Sequence, residues 1–367
     1  MSPSNISRRR LVGGTLAASL TGALPSLSRA APDLTVGILY SGARDDYGWN
    51  QSHAVAARAL KGVPGIKVVE EERVPETVAA AKTMESMIQL DGAKLLFGTS
   101  FGYFSPFMVD IAKANPGVQL RHPTTLWDPA KHPANLGGYF CYMDQAHHIN
   151  GIAAGLSTTS NKIGYIAAKP IDLVLRTVNS FTIGARMVNP NVQVFLVITG
   201  EWSMPVREAE AVNALVNSGC DVIACHVDSP KIIVQTAESR GVKTVGHNTS
   251  QAVLPAKEFI IGAVTKYETI YKGYADLLMK GQPLPNITVG GYDKDMVQST
   301  PFGAGAGEKA RNAAQARIAQ LRAGEPIFGG TVRDNRGKVV LEGVKGLYDP
   351  VLEKMPYVVE GVVGSVQ

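Results

Sequence analysis

The chain has 367 residues, of which 45% are hydrophobic and 18% charged, and its formal net charge is +5. Arg8, Arg9, Arg10 and Arg29 lie in an N-terminal stretch with no acidic residue; beyond it 32 basic side chains face 31 acidic ones, and no Lys/Arg-rich block occurs. A near-neutral remainder without a basic block excludes nucleic acid as a partner, and about 337 residues are enough for two domains.

Residues 1–30 are expected to be a signal peptide. Ser7-Arg8-Arg9-Arg10-Leu11-Val12 sets arginines ahead of an uncharged run from Leu11 to Leu27, and Ser28-Arg29-Ala30 offers small residues for cleavage before Ala31. The arginine cluster is that of a twin-arginine signal, with a Sec signal as the alternative. The run is too short, and too rich in Gly and Pro, for a spanning helix of about 20 apolar residues. No cysteine follows it to take a lipid anchor, so a soluble, exported, periplasmic protein is expected.

From Thr35 onward short apolar runs alternate with helical segments. Strands are expected at 35–40, 66–70, 93–98, 162–167, 192–197, 220–225, 242–246 and 259–264. Helices are expected near 49–61, 76–90, 103–114, 145–158, 172–188, 204–218, 230–240 and 266–280. Strands that are apolar throughout, each followed by a helix, imply parallel sheets covered on both faces. Ser203 before Pro205 and Ser229 before Pro230 are expected as helix caps. The pattern runs twice, from Thr35 and again from Lys162, with Gly138–Gly155 as the crossover. The fold expected is α/β: two doubly wound parallel-sheet lobes joined by a hinge. The boundaries are 31–143 for the first lobe and 144–264 for the second. Residues 265–367 are expected to return to the first lobe, supply hinge strands and end in a hairpin around Arg333–Lys338, a tail with little helical periodicity after about 300.

Two such lobes bring their strand carboxyl ends to a shared crevice, the usual ligand position in open α/β sheets. The loops there hold Asp45-Asp46-Tyr47-Gly48-Trp49-Asn50-Gln51, Thr99-Ser100-Phe101-Gly102-Tyr103, Gly200-Glu201-Trp202-Ser203 and His226-Val227-Asp228-Ser229-Pro230. Aromatics there can stack on a flat ring while Asp and Asn bond its edge. Equally, Trp49 and Phe101 can cover sheet ends, with Asp46 and Asp228 as helix-start carboxylates. No phosphate loop, nucleophile elbow or zinc helix is present in the sequence. His147-His148 point about 100° apart on a helix and suit a surface or hinge role better than a metal. Cys220 and Cys225 bracket one strand, about 16 Å apart and too far for a disulfide, so Cys141, Cys220 and Cys225 are expected as buried thiols.

These loop motifs, with Asn179–Pro190, Cys220-Asp221-Val222-Ile223, Asp334–Lys338 and Val359-Glu360-Gly361-Val362, resemble the basic membrane protein, or purine-nucleoside-receptor, family of ABC-transporter binding proteins over residues 35–365. The resemblance implies a type I periplasmic-binding fold that closes on a purine base or nucleoside and presents it to permease subunits, as a monomer without cofactor, metal or catalytic residues. It implies ligand contacts from Asp46, Trp49, Asn50, Phe101 and Asp228, and from Lys266 near a sugar. Phe101-Gly102-Tyr103 and Trp202 resemble the branch associated with free bases such as adenine, in which an acidic residue is expected near Gln145. The alternatives are a periplasmic nucleoside hydrolase using Asp46, Asp228 and His226, and a module feeding a membrane sensor.

Overall fold

The structure is a computed structural model that describes residues 34–254 and 257–366, so the expected signal peptide lies outside the described residues. The chain first builds β1 (Leu34–Leu39), α1 (Trp49–Lys61), β2 (Ile66–Glu71), α2 (Val78–Gln89), β3 (Leu95–Gly98), α3 (Val109–Ala114), β4 (Gln119–His122) and β5 (Leu136–Cys141). It continues through α4 (Asp144–Ser157), β6 (Lys162–Ala167), α5 (Asp172–Val188), β7 (Gln193–Ile198), α6 (Pro205–Asn217), β8 (Val222–His226), α7 (Lys231–Ser239), β9 (Lys243–Gly246) and β10 (Phe259–Thr265). The last part holds α8 (Tyr267–Met279), β11 (Ile287–Gly290), β12 (Val297–Ser299), α9 (Glu308–Arg322), the hairpin β13 (Thr331–Arg333) and β14 (Val339–Glu342), and β15 (Val362–Val363).

Two sheets result, ordered β11-β5-β4-β3-β1-β2 and β12-β10-β9-β8-β6-β7-β15. The pairs are parallel except β12 on β10. The order β2-β1-β3-β4-β5 is repeated by β7-β6-β8-β9-β10, so the doubled pattern is doubled in topology as well. Each sheet reverses direction of growth next to its first strand, between β1 and β3 and between β6 and β8, where loops diverge and leave a crevice. β1 is buried at all six positions, as a strand covered on both faces must be. The fold is the two-lobed type I periplasmic-binding architecture.

Several expectations are corrected. The helix expected over 103–114 is regular only as α3, because Ser105 before Pro106 takes extended angles (φ −128°, ψ 132°) and breaks the run. Ser203 and Ser229 cap nothing: neither α6 nor α7 has a side-chain cap, and Ser229 Oγ instead donates to the Asp46 carbonyl at 2.8 Å. Cys220 lies before β8 rather than within it, while all three cysteines are free and buried. The chain beyond 265 does not return as a block to the first lobe. α8 and β11 lie with the first sheet, whereas β12 and β15 pair into the second and α9 packs on α4. α9 forms in the tail after about 300, where less helical periodicity was expected. Its buried face is Ala310, Ala314, Arg317 and Leu321, too small and polar to register as an apolar stripe. Among the described residues no helix is long and apolar enough to cross a membrane.

Candidate functional site

The two lobes meet along a seam that begins at the turn before α1. Asp46 Oδ1 accepts from the Gly48 and Gln51 amides at 2.9 Å, and Oδ2 from the Asn50 amide (3.0 Å) and Asn50 Nδ2 (2.9 Å). Asn50 Oδ1 in turn accepts from the Gly42 amide at 3.1 Å. This knot holds the turn against the second lobe. The Trp49 amide donates to the Asp228 carbonyl at 2.8 Å, and Gln251 Nε2 donates to the Tyr47 carbonyl at 2.6 Å. A Cβ on Gly48 would stand 1.8 Å from the Asp228 carbonyl oxygen, so only glycine permits this approach.

Beside the seam lies a cavity of about 310 Å³, at the lower end of the usual small-molecule range of roughly 300–1,000 Å³. Trp49, Phe101, Phe140, Leu173 and Tyr267 give it an apolar wall; His226, His247 and Asn248 form its floor; Asp144, Arg176 and Glu353 line one end. A smaller lobe of this space, about 80 Å³, is shared by Trp49, Phe101, Trp202, Asp228 and Asn248. Trp49 is fixed by its indole N–H, which donates to the Thr99 carbonyl at 2.6 Å. Phe101 is 52% exposed and free of such a tie. No hydrogen-bond partner of the Asp228 carboxyl or of the Asn248 side-chain amide is found among the described residues, and both line this space. Burial first, then the charges of Asp46, Glu76 and Glu208, push the Asp228 carboxyl well above the usual carboxylate range. Asp144 is also raised by burial, against the lowering pull of Arg176, whose Nε lies 3.0 Å from Oδ2; Oδ1 is buried without a partner.

Of the residues singled out in the sequence, Trp49, Phe101, Trp202 and Asp228 come together on this cavity. His226 and Cys141 line it as well, whereas the other expected ligand contacts do not. Asp46 and Asn50 are occupied in the turn, which is the helix-start role. Gly102 donates its amide to Glu76 Oε1 at 2.8 Å on the outer side. Tyr103 is fully buried in the first lobe with its hydroxyl on the Val74 carbonyl at 2.5 Å. Gln145 Oε1 accepts from the Tyr292 amide at 2.7 Å, whereas the preceding residue, Asp144, is the acid that faces the cavity. Lys266 is ion-paired with Asp295. His147 and His148 are not surface residues; both are buried.

The polar end and two floor residues, His247 and Asn248, escaped the sequence reading, which had found only His226 there. His247 and Asn248 directly follow β9, the same position relative to a strand end that drew attention elsewhere, but with no aromatic beside them. Arg176 and Asp144 sit on helices 32 residues apart and gave no local pattern.

Residues 34–316 match a family model described as ABC transporter substrate-binding protein, PnrA-like. A purine-binding protein of Brucella abortus (strain 2308) is 29% identical over 342 residues, 92% of this chain and 95% of that protein. A Haloferax volcanii protein, named for glucose binding by an ABC transporter, is 26% identical over 96% of this chain and 87% of its own. Among solved structures, a solute-binding protein of an ABC transporter from Conexibacter woesei superposes with a TM-score of 0.66 at 22% identity, over 79% of this chain and 95% of that one. One from Aeropyrum pernix also reaches 0.66, at 15% identity over 79% and 91%. At such identities the superpositions speak for the fold alone.

Proposed function

Because the chain belongs to the PnrA-like family of ABC transporter substrate-binding proteins, we propose that it binds a purine base in the cleft between its lobes. The observation that carries this is the meeting of aromatic faces with an unpartnered carboxyl: Trp49 and Phe101 line the same space as Asp228. A flat ring between the aromatics would present its edge to Asp228 and Asn248. A carboxyl offers an acceptor and, when protonated, a donor, which matches the adjacent donor and acceptor along a purine edge such as adenine N6–H and N7. The name of the Brucella abortus relative supports the same ligand class. A base is favoured over a nucleoside because Lys266, which would face a sugar, is held by Asp295. The protein would work in the periplasm as a soluble monomer, exported by its N-terminal signal, closing by hinge motion and presenting its ligand to permease subunits.

A sugar is the second reading. The Haloferax volcanii relative is named for glucose, and Asp144, Arg176 and Glu353 at the far end of the cavity offer hydroxyl partners. Titration calorimetry of the ligand-free protein against adenine, guanine, xanthine, their nucleosides and glucose separates the two. Binding of a base is expected, weakened about tenfold by Phe101→Ala, since an aromatic contact is worth roughly 0.5–1.5 kcal/mol beyond area burial. Phe101 is half exposed, so its loss leaves the fold intact. Saturation by glucose with no heat from any purine overturns the assignment. Incubation with nucleosides is expected to return them unchanged; release of free base would instead support a hydrolase.

A further inference from the structure

Three imidazoles of the second lobe converge beneath the cavity: His147 on α4, His226 at the end of β8 and His247 just after β9. One ring nitrogen of each lies within 4.8 Å of one from each of the others. His147 Nε2 is 2.8 Å from His247 Nδ1, and the His226 and His247 rings are 4.3 Å apart by centroid. The outer nitrogens are already held, His147 Nδ1 by the Tyr165 hydroxyl at 2.9 Å and His226 Nδ1 by Thr177 Oγ1 at 2.7 Å. That leaves Nε2 of both rings for the centre of the cluster.

We propose that His147, His226 and His247 form a binding site for a borderline divalent transition-metal ion such as Zn²⁺, whose fourth coordination position opens into the cleft. Three imidazoles and no carboxylate among the cluster select such ions and reject Ca²⁺ and Mg²⁺, which take oxygen ligands. Two of the three ligands, His226 and His247, line the cavity, so an ion has both an entry path and an open face. The neutral ring is the ligating form of histidine. Zn–N bonds of about 2.0–2.1 Å place tetrahedral ligand nitrogens about 3.3 Å apart, so small ring rotations draw the trio in. The proton between His147 Nε2 and His247 Nδ1 shifts to the outward nitrogen of its own ring as the ion binds, so every ligand stays a neutral imidazole and no proton is released. Tyr165 and Thr177 then orient the rings through the nitrogens turned away from the ion, the arrangement that outer partners of metal-bound histidines adopt.

The test uses full-length mature protein without a histidine tag, stripped with chelator and titrated with Zn²⁺ by calorimetry and with Co²⁺ by visible absorption, without purine present. One ion per chain is expected, with Co²⁺ bands of a tetrahedral site. His247→Gln and His226→Gln should each lower affinity at least a hundredfold, and Tyr165→Phe about tenfold to a hundredfold. Thermal melting of each variant without metal shows whether it is folded. Should His247→Gln fail to fold, His226→Gln and Tyr165→Phe carry the test. No binding by folded wild type, or one-to-one binding unchanged in a folded His226→Gln, overturns the site and leaves the trio as a hydrogen-bonded floor. Because no purine is used, failure here and failure of the purine assignment are distinguishable.

Discussion

The carboxyl of Asp46 accepts four hydrogen bonds from its own turn, whereas that of Asp228 has no partner among the described residues and faces the cavity. Sequence alone left both roles open for both residues, since an aspartate near a helix start reads the same whether its oxygens meet amides or a ligand. The difference arises from the third dimension: α1 begins three residues after Asp46, while Asp228 is turned toward the opposite lobe. Asp46→Ala should therefore cost about 0.5–2 kcal/mol of stability, as loss of a helix cap does, measured by chemical denaturation of ligand-free protein. Asp228→Asn should leave that stability unchanged or raised, and weaken purine binding about tenfold to a hundredfold, as when a buried partner is lost. Equal effects of the two substitutions on stability would contradict the division of roles.

At the level of elements, the strands that were legible are those apolar throughout, such as β6, Lys162–Ala167, read at its true bounds. β4 was missed because it reads Gln119-Leu120-Arg121-His122, and burying arginine and histidine requires partners no local pattern reveals. Arg121 finds the carbonyls of Leu120 and Asn135 and the Tyr274 ring. β5 was not read as a strand: Gly137-Gly138 offer no side chains to mark one, and the crossover expected over Gly138–Gly155 overlaps its end. Those glycines instead admit backbone: a Cβ would stand 2.4 Å from the Asn286 carbonyl and 1.8 Å from that of Thr124. The same steric logic makes the α1 turn a closure contact. Gly48→Ala should keep the lobes from meeting at Asp228, since backbone cannot yield as a side-chain tip does. Small-angle scattering with saturating ligand should show a larger radius for the variant than for wild type, with affinity reduced tenfold or more. An identical closed radius would show that the seam tolerates the methyl group.

For the molecule as a whole, the interior carries an unusual number of neutral imidazoles. Six of seven histidines are buried, and His53, His122, His147, His148, His226 and His247 are all held below the ordinary value by desolvation. His122 is pushed down to about 4 by burial, although the Ser100 and Phe101 backbone and the Glu76 charge pull it up. Its ring is neutral in the folded state, while the unfolded chain takes up a proton near 6.5. Stability from this residue is thus complete above 6.5 and is lost as the pH falls from there to about 4. One pH unit corresponds to about 1.4 kcal/mol, so the loss is about 2 kcal/mol at pH 5. His122→Gln should lack this component: its stability relative to wild type should rise by about that amount between pH 7.5 and pH 5, read from denaturation curves. A constant difference would mean that the His122 ring takes up its proton at the same pH in the folded and unfolded chain. The two-lobed fold itself was legible because βα alternation repeats along the chain; the interior histidines were not, since they look like surface residues until their partners are known.

The three buried thiols have a practical corollary. Desolvation raises all of them, Cys220 to about 11 and Cys141 and Cys225 beyond it, so none is a thiolate at neutral pH. Folded protein treated with a maleimide dye is therefore expected to stay unlabelled without any cysteine having to be removed from its core. Installing one exposed cysteine on each lobe, as Lys131→Cys and Val206→Cys would do, would turn the molecule into its own fluorescence ruler, reporting opening and shutting in real time on an otherwise native interior.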